Sequence, residues 1–408
     1  MKKISLHYQI LAAIIFGGLF GFYLTEHVAY VDWMGTVFMR ALRMIVAPLV
    51  FCSVMTGVAS ISASDSFLRL GGKTLGYAVF TSVAAIITGI VFVIWIKPGE
   101  GLNMVLPETS ASLLNTQMTF RDFFINMMPD NVFSALSSNN MIGIIVFAVL
   151  FGVFLGKSTH QGSHKVLSAF EAINDVIMKL TTFILKFTPY GIFGLIAGLI
   201  ATEASTPEHL RLMVESQGWY FLTIVGAIGF HLIVTLGILL YFVGGINPFR
   251  HIQRMKEVIL MAFSTASSGG TLPLTLSHVK DRCKVSEKIC NFYLPVGTTI
   301  NKNGSALFMS VATIFIAQVY GLDLTFSKYL FILFASLMMA GIGAAGIPMA
   351  SFVMTIILIQ MLGLPAESIG LVLLAERFVD MARTSLNVYG NTVTAVLIAK
   401  SEGEAVEN

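Results

Sequence analysis

Residues 258–279 read VILMAFSTASSGGTLPLTLSHV: a short apolar arm, a run of hydroxyl and glycine residues, and a short apolar return. Neither arm reaches the roughly 20 helical residues that crossing a hydrocarbon core of about 30 Å requires. Between the arms, Ser264-Thr265-Ala266-Ser267-Ser268-Gly269-Gly270-Thr271-Leu272-Pro273 interrupts the apolar pattern, and lipid cannot satisfy the backbone groups of such a tip. The stretch therefore predicts a re-entrant helical hairpin over about 256–279, with its tip buried in protein or facing a polar cavity. For this cluster alone a surface loop is the alternative. The plan recurs at about 330–362, however, with Gly341-Ile342-Gly343-Ala344-Ala345-Gly346-Ile347-Pro348 as the interruption.

A helix bearing a polar patch follows each hairpin. The first, about 285–317, carries Gly297-Thr298-Thr299-Ile300-Asn301-Lys302-Asn303-Gly304-Ser305. Lys302 lies near its middle, roughly 20 Å from either end at 1.5 Å per residue, whereas a lysine side chain reaches only about 6 Å. It must lose its proton, meet an acid or face a hydrated cavity; a structural lysine–acid pair is the plainer alternative. The second helix, about 366–399, carries ERFVDMARTSLNVYGN at 376–391. At 100° per residue Glu376, Asp380, Arg383, Asn387 and Asn391 fall within an arc of about 80°, so they share one face. Ionisable groups at that depth mark a pathway for a solute.

The bulk numbers agree with a membrane location. The chain has 408 residues, 56% of them hydrophobic and 12% charged, with a mean hydropathy of +0.82, well away from soluble domains. Apolar stretches near 6–25, 36–61, 75–96, 140–157, 174–202, 217–244, 285–317 and 366–399 predict eight crossings. Arg69, Lys73, Lys157, Lys165, Arg250, Arg254, Lys256, Lys280, Arg282, Lys284, Lys288 and Lys400 fall on one side of that topology. By the positive-inside rule this side is cytoplasmic and holds both termini. Lys2 and Lys3 precede a long apolar run without a small-residue cleavage site, so a removable signal peptide is not expected. The two hairpins then enter from opposite sides, the inverted repeat of secondary transporters, with the site where their tips meet.

Other classes find little support. The net charge of +3 is topological bias and gives no sign of nucleic-acid binding. Cys52, Cys283 and Cys290 form no metal-binding spacing and read as packing residues. None of the eight histidines is spaced to a serine motif, and no phosphate-binding glycine loop occurs, so neither an intramembrane enzyme nor direct ATP drive is indicated. No cofactor or metal is expected. A channel is the remaining rival, and it would show flux without saturation or exchange.

The residues then match a known pattern over essentially the whole chain. MIVAPLVFCSVMTGVASIS at 44–62, SSGGTLP at the first tip, NKNGSAL at 301–307, GAAGIP at the second tip and DMARTSLNVYGN at 380–391 resemble the dicarboxylate/amino acid:cation symporters. That family includes archaeal aspartate transporters, bacterial proton/glutamate symporters and mammalian excitatory amino-acid transporters. The resemblance implies an all-α integral membrane protein with eight transmembrane helices and two re-entrant hairpins, assembled as a homotrimer in the inner membrane. It further implies scaffold segments at 1–74 and 98–202, and a mobile transport domain from 75–97 and 203–408 that moves as an elevator.

Carried over by motif, Asp380 matches the acid that binds the substrate ammonium and Arg383 the guanidinium that binds its side-chain carboxylate. A planar fork suits a carboxylate, and the acid one turn away supplies the opposite charge. Thr384 and Asn387 would hold the α-amine and α-carboxylate. Ser268, Ser305 and Ile347 would complete the binding site, and Glu376 lies one turn before Asp380. Dicarboxylate-carrying relatives lack the equivalent of Asp380, so its presence favours glutamate or aspartate.

The coupling sites depart from the family. Sodium prefers several oxygens and ideally a carboxylate, yet the two family aspartates are here Asn303 and Asn391, and a neighbouring methionine is Lys302. Two lost negative charges and one added positive charge make the region three units more positive. Asn301, Thr299, Thr81 and Ser82 survive as residual cation ligands, while Ala344 replaces a gate threonine and Ala266 an arginine. Met349 and Ser351 stand where glycine is usual, which stiffens the second tip. Lys302 is therefore expected to act as a tethered cation in a sodium-independent, proton-coupled or exchanging carrier. The alternative is a C4-dicarboxylate or neutral amino-acid symporter that still uses a cation gradient.

Overall fold

The computed structural model describes residues 6–62, 67–102, 104, 125, 128–137, 140–160, 162–203, 206–343 and 350–406. Among the described residues the chain is helical, with no strand. In chain order the helices are α1 (Leu6–Tyr23), α2 (Asp32–Ser62), α3 (Phe67–Ile96), α4 (Val132–Ser137), α5 (Met141–Lys157), α6 (Ser163–Leu185), α7 (Thr188–Glu203), α8 (Pro207–Phe230), α9 (Leu236–Phe242), α10 (Pro248–Thr265), α11 (Ser268–Cys283), α12 (Glu287–Ile300), α13 (Asn303–Val319), α14 (Phe326–Met338), α15 (Ala350–Met361) and α16 (Ile369–Ser401).

The first hairpin is α10 and α11. Asn247 caps α10 by accepting from the N–H groups of Phe249 and Arg250 at 3.0 and 3.3 Å, and Pro248 supplies the fixed φ of a first helical turn. The chain reverses at Ala266, at φ 49°, and Ser267 Oγ accepts from Gly270 N–H at 3.0 Å to start α11. Antiparallel pairing is fixed at the base, where Glu257 Oε2 lies 3.0 Å from His278 Nε2 and 2.9 Å from Arg282 Nη2. The arms thus extend beyond the apolar stretch, because their outer turns are polar. Helices α14 and α15 lie within and beside the stretch read as the second hairpin, 330–362. Its tip residues Ala344, Ala345, Gly346, Ile347, Pro348 and Met349 lie outside the described residues, as does most of the connection at 98–139.

By length and composition Asp32–Ala59, Leu70–Ile96 and Pro207–Phe242 are each sufficient to cross a membrane. The stretch read as one crossing at 174–202 falls on two helices, Ser163–Ile184 and Thr188–Thr202, bent by 56° at the break between them. The 217–244 stretch starts earlier, at Pro207, and holds a π turn at His231–Thr235. His231 is fully buried there, and neither ring nitrogen has a partner among the described residues. α3 shows how lipid and core divide one helix: Phe80, Ile87, Val91 and Trp95 are exposed, while Ala78, Thr81, Ser82, Ala85, Ile86 and Val93 are buried. Its polar residues face inward, the reverse of a soluble helix.

The deepest elements are α13 and α16. Every residue of α13 except Gln318 is buried, and α16 is buried without interruption from Arg383 to Ala399. They cross closely at Gly304, where a Cβ would stand 2.3 Å from the Arg383 carbonyl oxygen. Gly304→Ala is therefore expected to force the two backbones apart and cost at least about 1–3 kcal/mol, read as a lower midpoint in thermal unfolding of the purified protein. At the end of α16 a clasp ties three helices: Lys73 of α3 pairs with Glu402, and Glu404 Oε2 accepts from Ser286 N–H ahead of α12 at 2.9 Å.

Candidate substrate and coupling site

The helix expected over 285–317 is broken at its middle. α12 ends at Ile300, α13 begins at Asn303, and Asn301 and Lys302 join them in non-helical backbone. Such a break leaves the first N–H groups of α13 without intrahelical acceptors. A side chain from another helix satisfies them: Asn387 Oδ1 accepts from Gly304 N–H at 2.8 Å and Ser305 N–H at 3.4 Å, while its Nδ2 donates to Ser305 Oγ at 3.3 Å. Asn387 therefore caps α13 from α16. The break had a sequence signature in Gly297 and Gly304 flanking Asn301-Lys302-Asn303, but the unbroken apolar pattern outside it hid the interruption.

On one side of the break the remaining amides and hydroxyls bond to one another. Asn303 Oδ1 accepts from Thr81 Oγ1 at 3.2 Å and Ser82 Oγ at 3.0 Å. Thr81 Oγ1 also reaches Asn301 Oδ1 at 3.3 Å. Asn301 Nδ2 donates to Tyr293 Oη and Thr394 Oγ1, each at 3.2 Å, and Tyr293 Oη donates to Asn391 Oδ1 at 3.2 Å. The expected Asn301, Asn303, Asn391, Thr81 and Ser82 thus belong to one buried network, and Tyr293 and Thr394 are members that sequence reasoning missed. Thr299 makes none of these bonds; its methyl lies 4.0 Å from the place a Cβ would take on Gly57 of α2. The Nδ2 groups of Asn303 and Asn391 have no acceptor among the described residues.

The charges lie on the first turns of the polar stripe of α16 and at the break. Arg383 Nη2 stands 2.9 Å from both Glu376 Oε1 and Asp380 Oδ1, and its Nε donates to Asp380 Oδ1 at 3.0 Å. Arg377 Nη1 is 3.7 Å from Asp380 Oδ2. The guanidinium carbon lies 4.6 Å from the Phe308 ring centroid, a contact that holds its plane. Arg383 Nη1 is buried with no partner among the described residues, so one arm of the fork is unused. Lys302 is 7% exposed, and its ammonium makes no ion pair or hydrogen bond to a described residue. Buried Lys302 and Arg383 formally balance buried Glu376 and Asp380. Thr384, Ser305 and Ser268 are buried as well, with Ser268 opening α11 at the first hairpin tip. Ile347 lies outside the described residues.

A sequence profile described as the sodium:dicarboxylate symporter family matches residues 6–401. The chain belongs to that family. Similar proteins include a proton/sodium-glutamate symport protein of Bacillus caldotenax, 33% identical over 99% of this chain and 96% of the relative. A proton/glutamate-aspartate symporter of Escherichia coli (strain K12) is 32% identical over 98% and 93%. Excitatory amino acid transporter 3 of Homo sapiens is 31% identical over 97% and 85%. Asn303 and Asn391, two amides of the buried network, are the positions at which the sequence departs from its expected cation sites. Each accepts neutral hydrogen bonds through Oδ1, while its Nδ2 has no acceptor among the described residues.

Proposed function

We propose that this symporter-family protein carries an acidic amino acid, glutamate or aspartate, across the cytoplasmic membrane without sodium coupling. The names of the relatives support the substrate class. The observation that supports the coupling claim is the buried network of Thr81, Ser82, Tyr293, Asn301, Asn303, Asn391 and Thr394, which holds no carboxylate, next in the chain to a buried Lys302. An alkali cation wants a cluster of uncommitted oxygens, preferably with a carboxylate. In this network Asn303 Oδ1 and Asn391 Oδ1 already accept hydrogen bonds, and the adjacent side chain is cationic.

In this reading Arg383 takes the side-chain carboxylate through its unused Nη1, and Asp380 takes the ammonium. Thr384, Asn387, Ser305 and Ser268 hold the remaining polar groups, with Ile347 closing over the ligand. Lys302 supplies the fixed positive charge that a bound cation supplies in sodium-coupled relatives, and Glu376 balances it. Coupling is then to protons or to counter-substrate. The protein crosses the membrane eight times with both termini cytoplasmic, forms a homotrimer, and moves 75–97 and 203–408 as an elevator against 1–74 and 98–202. In reconstituted vesicles, uptake of labelled aspartate and glutamate is expected at the same rate with a sodium gradient and with choline in its place. A steep sodium dependence overturns the reading.

A further inference from the structure

The first hairpin carries a charged depression that the transport chemistry leaves unused. Arg250, Gln253, Arg254, Lys256, Glu257 and Arg282 line an open cleft of about 640 Å³ at the hairpin base. Arg250, Gln253, Arg254 and Glu257 fall on one helix face by their spacing of three, one and three residues. Four cations stand against one carboxylate, and that carboxylate is already occupied by His278 and Arg282. Arg282 is itself fixed, because its Nη1 donates to the Arg254 carbonyl oxygen at 3.2 Å. Arg250 and Lys256 are exposed and have no acidic partner among the described residues. Two exposed cations of this cleft, Arg250 and Lys256, thus lack a counter-charge among the described residues.

A second observation says where that counter-charge comes from. Immediately before the cleft, Tyr241 and Phe242 at the end of α9 and Phe249 at the start of α10 are all exposed. Aromatic side chains beside a basic cluster are the pattern of a membrane–water boundary, and the basic side faces the cytoplasm. Basic pockets at that level bind anionic headgroups, each lysine or arginine contributing about 1 kcal/mol. A free cytoplasmic anion would use the cations but not the exposed aromatics.

We infer that the base of the first hairpin is a binding site for the phosphate headgroup of an anionic phospholipid of the cytoplasmic leaflet, with Arg250, Arg254, Lys256 and Arg282 as its cations and the neighbouring aromatics against the acyl region. The site lies outside the substrate cavity and stands whether or not transport uses sodium. Native mass spectrometry of the purified protein tests it, with phosphatidylglycerol and phosphatidylcholine offered at equal concentration. Phosphatidylglycerol is expected to be retained at least tenfold better, and Arg250→Gln with Lys256→Gln is expected to cut that retention roughly 25-fold, about fivefold per charge. Both positions are exposed, so circular dichroism is expected to stay unchanged, and a lysine at Arg250 restores most of the binding. Equal retention of the two lipids overturns the inference. So does the loss of phosphatidylglycerol to millimolar inorganic phosphate, which marks a site for free anions.

Discussion

Lysine in place of Arg383 lowers uptake of labelled aspartate and glutamate by roughly thirtyfold or more, while the protein stays folded. The substitution keeps the positive charge between Glu376 and Asp380, so neither buried carboxylate is left without a cation, an omission that would cost about 3–5 kcal/mol. What it removes is the planar fork. The guanidinium lies over the Phe308 ring with Nη1 unpartnered among the described residues; under the proposed reading that arm binds the ligand carboxylate, and a charge-assisted hydrogen bond of that kind contributes about 1.5–3 kcal/mol. Uptake assays and thermal unfolding separate the two effects: the midpoint stays within a few degrees and the rate collapses. Wild-type uptake by Arg383→Lys would remove Arg383 as the carboxylate anchor.

Lys302→Met gives the second large effect. Under the proposed reading, a unit charge several ångströms from the ligand carboxylate contributes roughly 2 kcal/mol at an effective dielectric of about 20, so sodium-free binding of aspartate weakens by about thirtyfold. Loss of the buried ammonium also leaves Glu376 and Asp380 in excess over Arg383. Adding Asn303→Asp and Asn391→Asp to Lys302→Met removes three positive units from the region and returns carboxylates to the network, so binding becomes sodium-dependent. Isothermal titration with and without sodium measures both steps. If Lys302→Met binds aspartate as tightly as the parent, the tethered-cation role is wrong.

Much of this was readable from residue patterns because lipid leaves few choices. The first hairpin announced itself by hydroxyl and glycine residues where apolar ones should run, and α10 and α11 meet at that tip. Its start at Pro248 was also encoded, in an asparagine followed by proline, but the outer turns are polar and escaped a reading based on hydropathy. Five side chains of α16 share one face as the 3.6-residue period requires, and all five are buried. Their partners were less legible. Nothing in the spacing of Tyr293 or Thr394 pairs them with Asn301, because that contact depends on how α12 and α16 cross. Likewise Asn387 reads as a ligand for a solute, and the structure adds a bond set that the spacing does not announce, a cap on α13 that exists only once the chain between α12 and α13 is seen to unwind.

The backbone contact at Gly304 has a mechanical consequence. With no side chain between them, the two innermost rods are fused at the point where the guanidinium and the unwound turn meet, and neither can slide without prising peptide groups apart. The wall of the candidate site is consequently stiff at this crossing. Under the proposed mechanism, a solute resting on it is admitted or released by the hairpin tips above and below, and it travels only when the whole block travels.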